Sequence, residues 1–141
     1  MLIGQAQIVR SEWYDRNPIT ISRSYSALVA GPGSALGFSY IVPANRMCWI
    51  SGISCSLFRN GAATTADYAV LTIAIHRSGV PKDDILRLID YDNTIRVAKH
   101  REQNIGFFLQ AGDAIRLDYY DYSTGGNYYV DGCFCGTEVD A

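Results

Sequence analysis

The chain has few of the residues that enzymes and metal sites use. Its only two histidines, His76 and His100, form neither an H-x-H nor an H-E-x-x-H pattern, so the spacing typical of zinc enzymes is missing. No serine stands in a G-x-S-x-G turn, and the glycine-rich Gly31–Gly37 is neither G-x-G-x-x-G nor a Walker sequence. We therefore expect no catalytic residue, no cofactor and no metal, and a protein that is not an enzyme. Both histidines are expected in solvated positions, His100 within a charged connector at Ala98–Glu102.

Positive charge is scarce and scattered. The chain has 12 Lys and Arg residues against 14 Asp and Glu, a formal net charge of −2, and no run of basic residues. Because nucleic-acid-binding proteins concentrate basic residues on one face, we expect no direct contact with nucleic acid. No stretch approaches the roughly 20 apolar residues of a membrane span, and the N-terminus lacks the features of a signal peptide. We expect no membrane contact and synthesis in a cytoplasm.

The four cysteines fall into two pairs, Cys48 with Cys55 and Cys133 with Cys135. Residues two apart on a strand share a face, so Cys133 and Cys135 are predicted on one face. Cys48 and Cys55, an odd number apart, are predicted on opposite faces. Neither pair has the spacing of a zinc knuckle. We expect four buried, reduced thiols, with a metal site or a disulfide as the alternative.

Short runs rich in β-branched and aromatic residues dominate the chain, separated by Gly, Pro, Asn and Asp. These runs predict strands at Gln5–Val9, Ile19–Leu28, Leu36–Val42, Met47–Phe58, Tyr68–His76, Ile85–Leu88, Thr94–Ala98, Ile105–Leu109, Ala114–Tyr120 and Tyr128–Cys135. Met47–Phe58 is almost entirely apolar or small, which predicts a central strand, bent or bulged at Gly52. At Asp83–Ile89 a helical turn and an edge strand fit about equally well.

These patterns predict an all-β fold, an antiparallel β-sandwich of jelly-roll type with eight to ten short strands. An immunoglobulin-like sandwich and a closed barrel have similar strand numbers, but the Cys…Trp…Cys spacing of immunoglobulin domains is not met. Residues 19–141 are expected to form a single sandwich domain. Residues 1–18 are expected to form an N-terminal arm or first strand that contacts a neighbouring subunit.

Tyrosine is the most abundant aromatic residue, with ten Tyr against five Phe and two Trp. Five of the tyrosines lie within Asp118–Val130, which predicts a hairpin with Tyr119 pointing inward, Tyr120 outward and Tyr122 in the loop. Tyrosine fits strands in general, but it is also enriched at protein interfaces. The candidate interface residues are Trp13, Tyr14, Arg16, Tyr120, Tyr122 and Tyr128.

Two similar segments, Val42–Ile50 and Leu109–Leu117, predict tight corners on Asn45 and Gly112. Together with the glycine-rich Ser123–Asn127, they resemble the small jelly-roll proteins of tailed-bacteriophage virions, and the resemblance covers residues 41–130. It implies a capsid cement (decoration) protein that binds the outer head surface and bridges capsomers. It also implies two kinds of partner, the major capsid protein and further copies of the chain in a dimer or trimer, and a location on the outer capsid surface after synthesis in the host cytoplasm.

The alternative is a carbohydrate- or receptor-binding β-sandwich, such as a tail or fibre-tip domain or a lectin-like module. In that case the tyrosines would form a platform on which a ligand stacks.

Overall fold

The computed structural model describes residues 16–60, 68–90, 98–103, 106–122 and 127–141. Its strands are β1 (Ile19–Ala30), β2 (Gly33–Ile41), β3 (Arg46–Asn60), β4 (Ala69–Arg77), β5 (Val80–Asp90), β6 (Ala98–Gln103), β7 (Phe107–Gln110), β8 (Asp113–Asp121) and β9 (Asn127–Asp140). The predicted strand at Gln5–Val9 and most of the one at Thr94–Ala98 lie outside the described residues. Within those residues, no helix is long and apolar enough to cross a membrane.

The strands pack as two antiparallel sheets. The first sheet has the order β1-β9-β3, and β6 and β7 both pair with the far edge of β3; the second sheet has the order β2-β8-β4-β5. The chain crosses between the sheets at every connection except those from β4 to β5 and from β6 to β7. This two-sheet arrangement, with eight strand positions, is that of a jelly roll. The predicted all-β sandwich is therefore confirmed.

Alternation along each strand places one side between the sheets. On β9, Tyr128, Val130 and Phe134 are buried, whereas Tyr129 is exposed. The core between the sheets also contains Ile50, Ile53 and Leu57 of β3, Leu71 and Ile73 of β4, Leu86 and Leu88 of β5, Leu109 of β7, and Ile115, Leu117 and Tyr119 of β8. Burial of these apolar side chains is the main driving force for folding.

A β-bulge interrupts β3 at its centre. The register with β9 shifts between Ile50 and Gly52, which confirms the predicted irregularity. A bulge adds one residue to the strand, so the alternation of side chains reverses beyond it. Cys48 and Cys55 consequently point to the same side and both are buried, so the prediction of opposite faces is wrong. Burial raises the pKa of the Cys48 thiol to about 12.

The two predicted corners carry the chain from one sheet to the other and are hydrogen-bonded to each other. Asn45 and Gly112 have φ angles of 62° and 85°, a region that asparagine and glycine tolerate. The Val42 N–H donates to the Asp113 carbonyl, and the Gly112 N–H donates to the Val42 carbonyl, each at 2.9 Å. The two strands that flank each corner belong to different sheets and so do not pair with each other.

Several connections differ from the sequence-based expectation. Asp118–Val130 is not a hairpin, because β8 lies in the second sheet and β9 in the first. Ala98–Glu102 is not a connector: it is part of β6, in which the backbone of His100 pairs with Ser56. Asp83–Ile89 belongs to the edge strand β5 rather than to a helical turn. Local patterns do not reveal these pairings, which depend on how distant strands align.

The second corner contains a buried carboxylate, Asp113. It accepts hydrogen bonds from Arg77 Nε at 2.7 Å, from Arg77 Nη2 at 3.0 Å and from the Gln110 N–H at 3.0 Å. The hydrogen bonds from Arg77, followed by that from Gln110, hold the pKa of Asp113 below its usual value, against the opposing effect of burial. The ionised carboxylate therefore stabilises the fold.

A carboxyl group whose pKa is lowered by folding stabilises the protein above its unfolded pKa, and that contribution is lost as the pH falls through the folded value. We expect Asp113→Asn to lower the free energy of unfolding at pH 7 by about 1 kcal/mol, since Arg77 is largely exposed and screened. The difference in stability between the variant and the parent should shrink as the pH falls below the ordinary aspartate pKa and through the lowered pKa of Asp113. Urea denaturation between pH 7 and pH 2 measures this. Asp131→Asn, at an exposed position, is the control, and a constant offset for Asp113→Asn over the whole range would contradict the prediction.

Candidate interaction surface

Three tyrosines, the exposed Tyr120 and Tyr122 and the half-buried Tyr68, form a patch on the outer side of the second sheet, where β8 ends and β4 begins. Tyr120 and Tyr122 are 45% and 51% exposed. The Tyr68 ring stacks on that of Tyr122, with the centroids 4.3 Å apart and the planes at 16°. The Tyr122 N–H donates to the Tyr68 carbonyl at 2.9 Å, which fixes the two backbones beside each other. Tyr68, Tyr120 and Tyr122 are called the tyrosine patch below.

Strand alternation explains why these rings face outward. On β8, Leu117 and Tyr119 point between the sheets, while Asp118 and Tyr120 point away from them. The predicted orientations of Tyr119 and Tyr120 are thus confirmed. Next to the patch, Arg116 Nη2 donates to Asp118 Oδ1 at 2.8 Å. An aromatic surface therefore borders a pair of opposite charges.

Behind the tyrosine patch, a buried polar network joins the two sheets. Arg59 Nε of β3 donates to the Tyr128 hydroxyl at 2.7 Å, and this hydroxyl donates to Asp90 Oδ2 of β5 at 3.1 Å. Arg59 Nε also lies 3.3 Å from Asp90 Oδ2. The three residues are at most 4% exposed, and the guanidinium lies over the Tyr128 ring with Cζ 5.2 Å from the centroid. A cation from one sheet is thus neutralised by an anion from the other.

Tyr119 extends this buried region towards the tyrosine patch. Its hydroxyl donates to Asp121 Oδ2 at 3.0 Å, and its ring contacts that of Tyr128 with the centroids 6.1 Å apart. Burial is the largest cause of the raised pKa of both tyrosines, so both hydroxyls keep their protons. Tyr119 and Asp121 point inward and alternate along the chain with Tyr120 and Tyr122, which point outward. The buried pair therefore anchors the backbone from which the two exposed rings project.

Tyr128 was proposed from the sequence as an interface residue, and the structure corrects this prediction. It is fully buried because β9 is an inner strand and position 128 faces the second sheet. Its neighbour Tyr129 is 44% exposed instead. The tyrosine content of the segment could not show which ring faces the core.

The remaining interface candidates are not brought into the tyrosine patch. Arg16 is exposed and precedes β1, at the opposite end of the sandwich. Trp13 and Tyr14 lie outside the described residues. Tyr68 was not among the predicted interface residues, because it is distant in sequence from Tyr122 and joins it only through the pairing of β4 with β8.

Two further expectations are corrected on the outer faces of the sheets. His76 is only 6% exposed rather than solvated, and its Nε2 lies 3.8 Å from Asp118 Oδ2. Cys133 and Cys135 are exposed rather than buried, because they lie on the outward side of β9, although they do share a face as predicted. Among the residues that the structure describes, no three His, Cys, Asp or Glu side chains are arranged to hold a metal ion.

No protein-family model and no curated protein matches the chain. Solved structures with a similar fold include infectious bursal disease virus, Gx strain (15% identity, 86% of this chain and 32% of that chain, TM-score 0.46). They also include the infectious bursal disease virus VP2 subviral particle, with 12% identity over 88% of this chain and 33% of that chain and a TM-score of 0.44. A third is murine APRIL, with 11% identity over 82% of this chain and 98% of that chain and a TM-score of 0.41. The chain spans about a third of the length of these viral chains. The similarity concerns the β-sandwich fold and does not extend to function.

The buried network leads to a stability prediction with a control on the adjacent residue. Tyr128→Phe keeps the ring but removes the hydroxyl that joins Arg59 to Asp90, so we expect a loss of about 1–3 kcal/mol in the free energy of unfolding. Tyr129→Phe removes the same atom from an exposed position, and we expect a change within about 0.5 kcal/mol. Urea denaturation at pH 7 compares the two variants. Equal effects would show that the Tyr128 hydroxyl does not stabilise the joined sheets.

Proposed function

We propose that the protein is a virion structural subunit, a capsid cement protein that binds the outer head surface and bridges capsomers. The observation that carries this proposal is the tyrosine patch, in which exposed rings project from a backbone held by a buried network. Tyrosine rings bury a large area on binding and lose little side-chain entropy. They are also among the residues that contribute most to the binding energy of protein interfaces.

Preorganisation supports this role. The Tyr68–Tyr122 stack and the backbone hydrogen bond between them exist before any partner binds, so little additional ordering is required. The Arg116–Asp118 pair beside the rings supplies charges that can orient a partner. A protein partner is therefore favoured over a small, freely diffusing ligand.

The choice of the major capsid protein as this partner comes from the corners at Asn45 and Gly112, in the segments that resemble virion proteins. A capsid presents the same site many times, so a subunit that is itself a dimer or trimer gains affinity by binding at several points. The proposed location is accordingly the outer surface of the virion.

Binding to capsids tests this function. We expect the double variant Tyr120→Ala/Tyr122→Ala to bind shells of the major capsid protein at least about 30-fold more weakly. This corresponds to the loss of about 2 kcal/mol of binding free energy, which one dominant interface residue typically contributes. Cosedimentation with purified shells measures the affinity, and thermal unfolding verifies that the variant is folded. Tyr129→Ala, on the outer side of the first sheet, is the matched control and should bind as the parent does. Parent protein that fails to bind the shells, or a folded double variant with unchanged affinity, would contradict the proposal.

The second candidate function is carbohydrate binding, and the stacked pair of Tyr68 and Tyr122 favours it. The two rings lie in nearly parallel planes, so the Tyr122 ring face that is turned away from Tyr68 is an apolar surface on which a sugar ring could pack. If this is the function, a glycan array should give a specific signal that Tyr122→Ala abolishes and Tyr129→Ala preserves. An array without any signal would eliminate this candidate.

A further inference from the structure

Two thiols are exposed side by side on the outer face of the first sheet. Cys133 and Cys135 lie on the outward side of β9, an inner strand of that sheet. Free cysteine is among the most buried residue types in proteins, so two exposed thiols in the middle of a sheet require an explanation. Cys133 Sγ is 3.1 Å from Ser54 Oγ, and Cys135 Sγ is 3.6 Å from Ser51 Oγ.

The side chains around the two thiols are small. On β1, Ser24 pairs with Cys133 and Ser22 pairs with Cys135. The central part of this surface, called the serine face below, consists of Cys133 and Cys135 with Ser22, Ser24, Ser26, Ser51, Ser54 and Ser56, and it includes the exposed Asp131 between Ser26 and Ser56. Large rings lie towards its two ends, where Trp49 contacts Phe108 and Phe58 contacts Tyr129. The centre of the sheet is therefore open to close approach.

The two exposed thiols are poorly placed to bond to each other. Residues two apart on an extended strand are separated by about 6.5 Å along it, with roughly parallel side chains. A disulfide needs Cβ atoms only about 4 Å apart. Cys48 and Cys55 are buried inside the sandwich and face away from this surface. A disulfide at Cys133 or Cys135 therefore takes its second sulfur from another molecule.

The geometry of a disulfide limits what that molecule can be. The Cα atoms of two disulfide-bonded cysteines lie about 4.4–6.8 Å apart, whereas packed sheets are normally about 10 Å apart. Two sheets linked through outward cysteines must therefore approach unusually closely, which requires small side chains on both faces. A second copy of this chain supplies both the thiols and a matching face of serines.

We propose that two copies pack serine face to serine face and are joined by disulfides formed from Cys133 and Cys135. A two-fold axis that lies between the two facing copies, passes level with Phe134 and runs perpendicular to β9 places Cys133 of each copy opposite Cys135 of the other. This inference goes beyond the proposed function, because it concerns the opposite side of the sandwich. It leaves the tyrosine patches exposed on the two outer sides of the dimer.

The oxidant in this step is a small-molecule disulfide. A thiolate of one copy attacks it, forms a mixed disulfide and releases one small thiol; a thiol of the second copy then displaces the other small thiol and forms the interchain S–S bond. For each bond, two protein thiols lose two electrons and two protons, and the oxidant becomes two thiols. The link is therefore absent in a reducing cytoplasm and forms after release into an oxidising medium.

Controlled oxidation tests the link. Incubation of the full chain with glutathione disulfide is expected to produce a dimer on non-reducing gels, reversed by dithiothreitol, with an intact mass that shows interchain disulfides. Cys133→Ser/Cys135→Ser should yield no such dimer, whereas Cys55→Ala, which alters a buried thiol, should dimerise as the parent does. Three outcomes would overturn the proposal: a monomer carrying two glutathione adducts, an internal Cys133–Cys135 disulfide, or a dimer that requires Zn²⁺ and no oxidant.

A pair of bulky substitutions tests whether the faces meet. Ser24→Tyr places a ring beside Cys133 without removing a thiol, and it should lower the cross-linked fraction at least about tenfold, because the Cα atoms could no longer approach to disulfide distance. Ser39→Tyr places the same ring on β2 in the other sheet and should have no effect. Equal yields in the two variants would mean that exposed thiols react in random collisions, and the face-to-face dimer would be rejected. Capsid binding is measured separately, so failure here leaves the cement function unaffected.

Discussion

The charge on Arg59 is the constraint on which one end of the sandwich depends. An ionised side chain removed from water costs several kcal/mol unless it is paired and hydrogen-bonded. Asp90, from the opposite sheet, and the Tyr128 hydroxyl supply that pairing. Because the compensating groups come from both sheets, the sheets cannot shift relative to each other at this end without exposing or unpairing a charge. This pairing holds β3 and β5 together behind the tyrosine patch.

The other end of the sandwich is closed in a related way. Glu138 of β9 is only 7% exposed, and it accepts hydrogen bonds from Tyr40 of β2 and from Arg46 of β3. Polar pairs at both ends thus enclose an apolar centre and align the sheets. The outer face of each sheet carries one of the two surfaces proposed to bind partners, the tyrosine patch on one and the serine face on the other. The two proposed associations therefore do not compete for the same surface.

Features that depend on neighbouring residues could be predicted from the sequence. The alternation of β8 identified Tyr120 as outward-facing, Gly52 marked the bulge in β3, and Asn45 and Gly112 marked the corners. Each reflects a short-range rule, either the two-residue period of a strand or the tolerance of a residue for positive φ. Two of the three residues of the tyrosine patch, Tyr120 and Tyr122, were within reach of such rules, whereas Tyr68 was not, because its contact with Tyr122 requires two distant strands to pair.

The sequence by itself determined that the chain would form antiparallel strands with alternating faces, and where the chain would turn at the two corners. Only the tertiary structure decided which side of each strand became the inside. Tyr128 was drawn into the core and Cys133 and Cys135 were left outside because β9 lies in the first sheet, between β1 and β3. Alternation separates the residues of a strand into two sets, but which set is buried depends on the sheet that packs against it, and that sheet is built from distant parts of the chain.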